Sequence, residues 1–125
     1  MTVLNILKKQ VEPDVTVLEI SGRLAIGRDC QEVEWQMEDL LKNQKTKVVF
    51  DLTGLQYIDS TGIGIIVMCH GKLKKSGGEL RVACPQGVVD DTIKLTRVDQ
   101  IVPLFPTCAA ATASFLAPPA TDSPS

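Results

Sequence analysis

The stretch from Val48 to Leu73, VVFDLTGLQYIDSTGIGIIVMCHGKL, changes its apolar spacing halfway along. It begins with the apolar run Val48–Phe50, passes through a polar turn, and then takes the three- and four-residue spacing of one helix face. The pattern predicts a strand, a loop and a helix that begins near Ser60. Backbone N–H groups at a helix start lack helical partners, and the helix dipole is positive there. The Ser60 hydroxyl can therefore be a plain cap or a functional group.

The residues before this stretch predict two strands. Val3–Val11 alternates loosely, and Val15–Ile20 is rich in β-branched residues, with the turn Glu12–Asp14 between them. We therefore expect an antiparallel pair in which the first strand lies at an edge. The segment Ser21–Arg23 is expected to end the second strand.

A helix is predicted from Cys30 to Asn43. Asp29 is the expected N-cap, and Glu32 completes a pattern similar to a capping box. The acidic residues of this helix lie mostly off its apolar stripe, so they indicate either a solvated surface or a face that docks a partner. The stripe consists of Cys30, Val33, Met37, Leu40 and Leu41, and the acidic residues are Glu32, Glu34, Glu38 and Asp39.

The C-terminal half repeats the alternation of strand and helix. A strand is predicted over Glu79–Cys84, a short helix over Val88–Thr96, and a last extended segment over Ile101–Phe105. Leu80, Val82 and Cys84 are expected on one side of the strand. The inward positions of the short helix are expected to be Val89, Ile93 and either Leu95 or Thr96.

The order of elements predicts an α/β fold of a single domain. Strands separated by helices pair in parallel through right-handed crossovers, so we expect a four- to five-stranded mixed sheet with helices packed on it. The domain is expected to cover residues 1–105. Residues 106–125 form an Ala-, Pro- and Ser-rich tail, in which Thr107–Leu116 has the composition of a weak helix and Ala117–Ser125 that of a disordered segment.

Charge and composition exclude several classes of function. The net charge is −2, which gives no basic surface for nucleic acid or an anionic membrane, and no apolar run reaches the length of a membrane span. The N-terminus has no signal or transit pattern, so we expect a cytoplasmic protein. Four widely spaced cysteines and one histidine make a metal site improbable, and we expect no cofactor.

Enzymatic chemistry at Ser60 has little support. A nucleophile elbow needs glycine two residues before the serine, and Ile58 stands there. The single histidine, His70, lies ten residues further along the same predicted helix, about 15 Å away, and cannot act as its base. The Thr61–Gly64 segment has neither a phosphate-loop pattern nor a dinucleotide fingerprint. We therefore expect no catalytic residues and at most a weak site for a small anion.

A switch at Ser60 is the third possibility. Phosphorylation would add about −1.5 to −2 charges beside Asp59, at the start of a helix where a partner could dock. From the residues alone, a plain cap and a regulated hydroxyl both remain open.

The chain from Val3 to Phe105 resembles the STAS domain family, specifically the bacterial anti-sigma factor antagonists. Residues 51–64 match the pattern D-L-[ST]-x-L-x-x-[IM]-D-S-[ST]-G-[IL]-G, and residues 77–82 match G-G-x-[LM]-x-[LV]. The resemblance ends at residues 101–105, which match the pattern I-[VI]-x-[LIV]-[FY]. The D-S-[ST]-G-x-G core is specific when it lies between a strand and a helix.

The resemblance implies a non-enzymatic protein that switches partners. Its members bind an anti-sigma factor that is a serine kinase, and so release a sigma factor. The kinase phosphorylates the hydroxyl that falls on Ser60 here, which ends the binding, and a serine phosphatase restores it. The resemblance implies a partner-binding role for Asp59, Ser60, Thr61, Gly62 and Gly64, and for Gly22, Arg23 and Leu24 in a neighbouring loop.

One position departs from the family pattern. Many members carry an acidic residue after the G-x-[LV] segment, where this chain has Ala25. That departure leaves room for an alternative, a STAS scaffold that is not phosphorylated or a module that senses a small anion or ligand in a signalling assembly.

Overall fold

The structure is a computed structural model that describes residues 3–116. Six strands and four α-helices lie in this part of the chain, with a 3₁₀ turn at Val98–Gln100. The tail segment predicted to be disordered, Ala117–Ser125, lies outside the described residues. The elements are β1 (Asn5–Val11), β2 (Val15–Leu24), α1 (Arg28–Lys42), β3 (Lys47–Asp51), β4 (Leu55–Ile58), α2 (Ser60–Lys75), β5 (Glu79–Ala83), α3 (Gly87–Leu95), β6 (Leu104–Phe105) and α4 (Cys108–Leu116).

The strands form the predicted mixed sheet. Their order is β1-β2-β3-β5-β6, in which β1 and β2 are antiparallel and the other neighbours are parallel. The sixth strand, β4, pairs in parallel with the second half of β2. The sequence prediction missed β4, because its four residues show no clean alternation and only two of them, Leu55 and Ile58, are buried.

Strand β2 is longer than predicted, and Gly22 is the reason. Gly22 has a φ of +88°, and a Cβ atom there would overlap the carbonyl of Val3. The register shifts between Gly22 and Arg23, after which β2 leaves β3 and pairs with β4 as far as Leu24. The prediction that Ser21–Arg23 ends the strand was therefore wrong. The glycine allows an irregularity, so that one edge of β2 pairs first with β3 and then with β4.

Helix α1 begins earlier than predicted and without a side-chain cap. Its N-cap is Gly27, with a φ of 107°, and Asp29 lies inside the first turn. The predicted capping pattern of Asp29 and Glu32 was wrong, although Asp29 still places negative charge at the positive end of the helix. The apolar stripe was predicted correctly: Cys30, Val33, Met37 and Leu40 are buried, and Leu41 is partly buried.

The sheet separates two apolar clusters. The larger one lies under α1, α2 and α3, and the smaller one lies against Ala111 of α4. Cys84 packs in the smaller cluster rather than beside Leu80 and Val82, which corrects its predicted side. In α3, Leu95 and Thr96 are exposed, and Val98 of the following turn is buried instead.

The C-terminal helix α4 coincides with the predicted weak helix at Thr107–Leu116, and Ala111 and Phe115 pack on the second face of the sheet. The domain boundary after residue 105 stays a prediction. None of the helices in residues 3–116 has the length and apolar character needed to cross a bilayer.

Gly62 fixes how closely α2 approaches β2. A Cβ atom at Gly62 would lie 2.6 Å from the Leu24 carbonyl oxygen and 2.7 Å from Cγ1 of Ile58. Gly71, in the same helix, has no neighbour within 4 Å of such an atom. The close packing at the start of α2 therefore requires a residue without a side chain, whereas the middle of the helix at Gly71 has room for one.

We predict that Gly62→Ala destabilises the protein by about 1–3 kcal/mol, because the backbone of Leu24 must move. Gly71→Ala should stabilise it by about 0.5–1 kcal/mol, because alanine loses less backbone entropy in a helix. Urea unfolding followed by circular dichroism measures both. A neutral effect of Gly62→Ala would contradict the close approach.

Candidate functional site

Asp59 joins the start of α2 to the segment that leaves β2. Its Oδ1 accepts a hydrogen bond from the Gly62 N–H at 2.9 Å, and its Oδ2 accepts one from the Ile26 N–H at 2.9 Å. Its own N–H donates to the Leu24 carbonyl at 3.2 Å. One residue therefore caps the helix and holds the chain between β2 and α1 against it.

Ser60 is the first residue of α2 and is exposed. The interpretation of Ser60 as a plain N-cap is wrong, because Asp59 occupies the cap position and supplies the capping oxygen. Within residues 3–116 the Ser60 hydroxyl accepts and donates no side-chain hydrogen bond. The hydroxyl thus lies on the surface with no part in holding the helix start together.

The environment of Asp59 favours its charged form. Burial raises the pKa of the carboxyl, but backbone N–H groups of Gly62, Ile26 and Thr61 lower it by more, so that the pKa lies below its usual value. Hydrogen bonds from fixed N–H groups stabilise a carboxylate because they remain in place when the proton leaves. Asp59 is therefore a permanent negative charge next to Ser60 at neutral pH.

The segment Gly22–Leu24 lies beside this helix start, but it is a strand and not the predicted loop. Leu24 pairs with Ile58, the residue before Asp59, and both Gly22 and Leu24 are buried. Arg23 is exposed, and its guanidinium carbon lies 4.9 Å from the centre of the Tyr57 ring. Of the three predicted partner-binding residues, Arg23 alone presents its side chain at the surface.

The remaining predicted residues differ in exposure. Thr61 is half-buried, Gly62 is buried, and Gly64 is exposed with open space around it. Ala25 is buried, and its carbonyl accepts a hydrogen bond from the Cys30 thiol at 3.2 Å. An acidic side chain at this position would point into the packed region where this chain has a methyl group. No group of three His, Cys, Asp or Glu side chains in residues 3–116 is arranged to hold a metal ion.

Two residues of this surface were not predicted. Ile26 is 75% exposed, and its N–H donates a hydrogen bond to the Asp59 carboxylate. Tyr57 is 42% exposed, and the Arg23 guanidinium lies over its ring. An exposed isoleucine in a connection gives no periodic signal. Tyr57 belongs to β4, whose pairing with β2 is not readable from local sequence.

We predict that Asp59→Ala lowers the free energy of unfolding at pH 7 by about 1–3 kcal/mol, because two N–H groups lose a charged acceptor. Asp59→Asn should cost less, since its one carbonyl oxygen can still accept from Gly62.

The same account fixes the pH dependence. Because the folded pKa is depressed, the contribution of the carboxylate is complete above the unfolded value of about 3.9 and is lost as the pH falls through the folded pKa. The difference in stability between wild type and Asp59→Ala should therefore narrow from pH 5 to pH 2, in urea titrations at several pH values. A difference that stays constant over this range would contradict the assignment.

Known proteins are similar to this chain in sequence and in architecture. A relative in Thermotoga maritima, given as a candidate anti-sigma factor antagonist, is 26% identical over 102 residues, which are 82% of this chain and 90% of the relative. A crystal structure of an anti-sigma factor antagonist from Mycobacterium paratuberculosis superimposes with a TM-score of 0.80 at 23% identity, over 92% of this chain and 96% of that chain.

A second solved structure, like the first, is similar in fold alone. The Bacillus cell fate determinant SpoIIAA in its phosphorylated form superimposes with a TM-score of 0.70 at 13% identity, over 89% of this chain and 99% of that chain. The profile of the family described as the STAS domain matches residues 7–111, which include strands β2 to β6, most of β1 and the Asp59–Ser60 helix start. The chain therefore belongs to the STAS domain family.

Proposed function

We propose that this protein is an anti-sigma factor antagonist that works by switching partners in the cytoplasm. Unphosphorylated, it binds an anti-sigma factor that is also a serine kinase. Phosphorylation of Ser60 by that kinase releases it, and a serine phosphatase returns it to the binding form. The names of its relatives support the general role, and the surface around Ser60 supports the switch.

The observation that carries the proposal is the freedom of the Ser60 hydroxyl. It lies at the first position of α2, exposed, while Asp59 makes the capping bonds. A kinase can reach this oxygen without opening the fold, and esterifying it breaks no hydrogen bond within the described residues. Modifying a hydroxyl that capped the helix would instead remove a hydrogen bond from the helix start.

The charge of a phosphate acts differently on the fold and on a complex. At the start of a helix, a dianion faces the positive end of the dipole, which offsets its repulsion from the neighbouring Asp59 carboxylate, so we expect little change in the stability of α2. A docked partner must instead bury or face that charge. At an effective dielectric constant of about 20, each like-charge pair about 6 Å apart costs roughly 3 kcal/mol, or about a hundredfold in affinity.

The surface offered to the partner follows from exposure. Arg23, Ile26 and Gly64 surround Ser60 with solvent-accessible groups, and Thr61 contributes in part. The buried residues Leu24 and Gly62, with Asp59, shape that surface by fixing the distance between β2 and α2, and Gly22 permits the irregularity that turns β2 toward β4. We therefore assign the first set to direct contact and the second set to positioning.

The alternative of a small-anion sensor fits this geometry less well. A helix start binds anions through its free N–H groups, and here the Asp59 carboxylate already accepts from Gly62 and lies beside Thr61. An incoming anion would meet a fixed negative charge. The proposed role is binding and not catalysis. His70 lies ten residues after Ser60 in the same helix, about 15 Å away, which is too far for it to act as a base for the Ser60 hydroxyl.

Incubation with the cognate kinase and ATP should add one phosphate, and Ser60→Ala should abolish it, because this hydroxyl is the acceptor. Ser76→Ala is the matched control, since it removes an exposed hydroxyl at the other end of α2, outside the proposed surface, and should be labelled as wild type. Intact-mass spectrometry with peptide mapping measures the outcome. Full labelling of Ser60→Ala would refute the site.

Ser60→Asp should weaken binding to the same kinase by about tenfold or more while leaving the melting temperature unchanged or slightly raised, because one negative charge opposes the partner and suits the helix dipole. Ser76→Asp adds the same charge at the exposed C-cap of α2, about 24 Å along the helix, and should bind as wild type. Isothermal titration calorimetry and thermal melts provide both readouts. Equal affinities of the two variants would contradict a switch at Ser60.

A further inference from the structure

We infer that the partner-binding surface continues from Ser60 along α1 to Trp35, and that the partner places a basic side chain, arginine or lysine, on the Trp35 ring. This inference rests on the proposed function, because it describes how the same kinase-type anti-sigma factor docks. It adds a second contact that no phosphate at Ser60 would touch directly.

Trp35 is the only tryptophan of the chain and is 75% exposed, on the side of α1 opposite the core. An open groove of about 560 Å³ lies on each side of it. Large aromatic rings dominate the energetics of protein interfaces when a partner covers them, and they are enriched among the residues that cost most when truncated. An exposed ring between two grooves can be covered by a partner in this way.

Of the two grooves, the one toward the start of α1 has the acidic excess that favours a basic partner, whereas the other is lined by two basic and two acidic residues. Glu38 and Asp39 are paired with Lys72 and Lys8, whereas Glu32 and Glu34 carry no ion pair within residues 3–116. The carboxylates of Glu32 and Glu34 line the groove that runs from Trp35 toward the start of α1.

The same groove holds one guanidinium, that of Arg28, so the groove is net negative. A cation placed over an indole ring gains about 0.5–2 kcal/mol, and two nearby carboxylates increase its attraction to the site.

The groove reaches Arg28 at the start of α1, two residues after Ile26 of the Ser60 surface. The two helices start together, where the Asp59 carboxylate accepts from Ile26, and they run side by side to the ion pair between Glu38 and Lys72. Trp35 lies seven residues after Arg28, about 10 Å along α1. A stable interface buries about 800 Å² per partner, a patch roughly 30 Å across. A partner docked over the starts of both helices therefore reaches Trp35.

Affinities of α1 variants for the kinase that labels Ser60 test the inference. Trp35→Ala should weaken binding about 10- to 100-fold, and Trp35→Phe should weaken it less, because a smaller aromatic face remains. Glu32→Gln combined with Glu34→Gln should weaken binding severalfold and reduce its salt dependence.

Leu95→Ala is the matched control. Leu95 is 86% exposed at the end of α3, so its truncation removes a similar exposed apolar group outside the proposed surface and should change the affinity by less than twofold. Unchanged circular dichroism of each variant shows that the effects do not come from unfolding.

The outcomes separate this inference from the proposed function. If Trp35→Ala binds as wild type while Ser60 is labelled and Ser60→Asp binds weakly, the α1 contact is wrong and the switch stands. If the kinase neither binds nor labels the wild-type protein, both are wrong. If sedimentation shows a homodimer that Trp35→Ala dissociates, the ring packs on a second copy, and the basic partner is refuted.

Discussion

The two hydrogen bonds accepted by the Asp59 carboxylate hold the functional end of this domain together. One oxygen fixes the start of α2 and the other fixes the connection that follows β2, so two separate parts of the chain share one charged group. The absence of a side chain at Gly62 allows the close approach that these bonds require. Because Asp59 makes these hydrogen bonds, the helix start does not need the side chain of Ser60, and the Ser60 hydroxyl remains accessible at the surface.

This division of labour between adjacent residues explains how a small domain can be switched without being unfolded. In the proposed switch, the positive end of α2 offsets the repulsion between a phosphate on Ser60 and the Asp59 carboxylate, whereas a docked protein must face the new charge. In the inferred extension of this surface, the exposed Ile26 and Trp35 lead along α1, where Glu32 and Glu34 favour a basic partner. Affinity and its regulation would then come from different residues.

Local patterns in the sequence predicted most of the elements and the mixed α/β sheet, because apolar periodicity reports which face each element buries. Strand β4 and the second half of β2 escaped prediction, since their pairing is non-local and depends on the irregularity that Gly22 permits. Ser60 was placed correctly at the helix start, but the capping role belongs to Asp59, one residue earlier. The exposure of Ile26 follows only from the tertiary arrangement.

The most direct test compares the affinity of one anti-sigma kinase for this protein before and after stoichiometric phosphorylation of Ser60, by calorimetry at two salt concentrations, with thermal melts of both forms. The account predicts a loss of about a hundredfold or more on phosphorylation, which shrinks as salt rises, and a melting temperature that does not fall. Equal affinities of two folded forms, or a loss of affinity that accompanies unfolding, would contradict it.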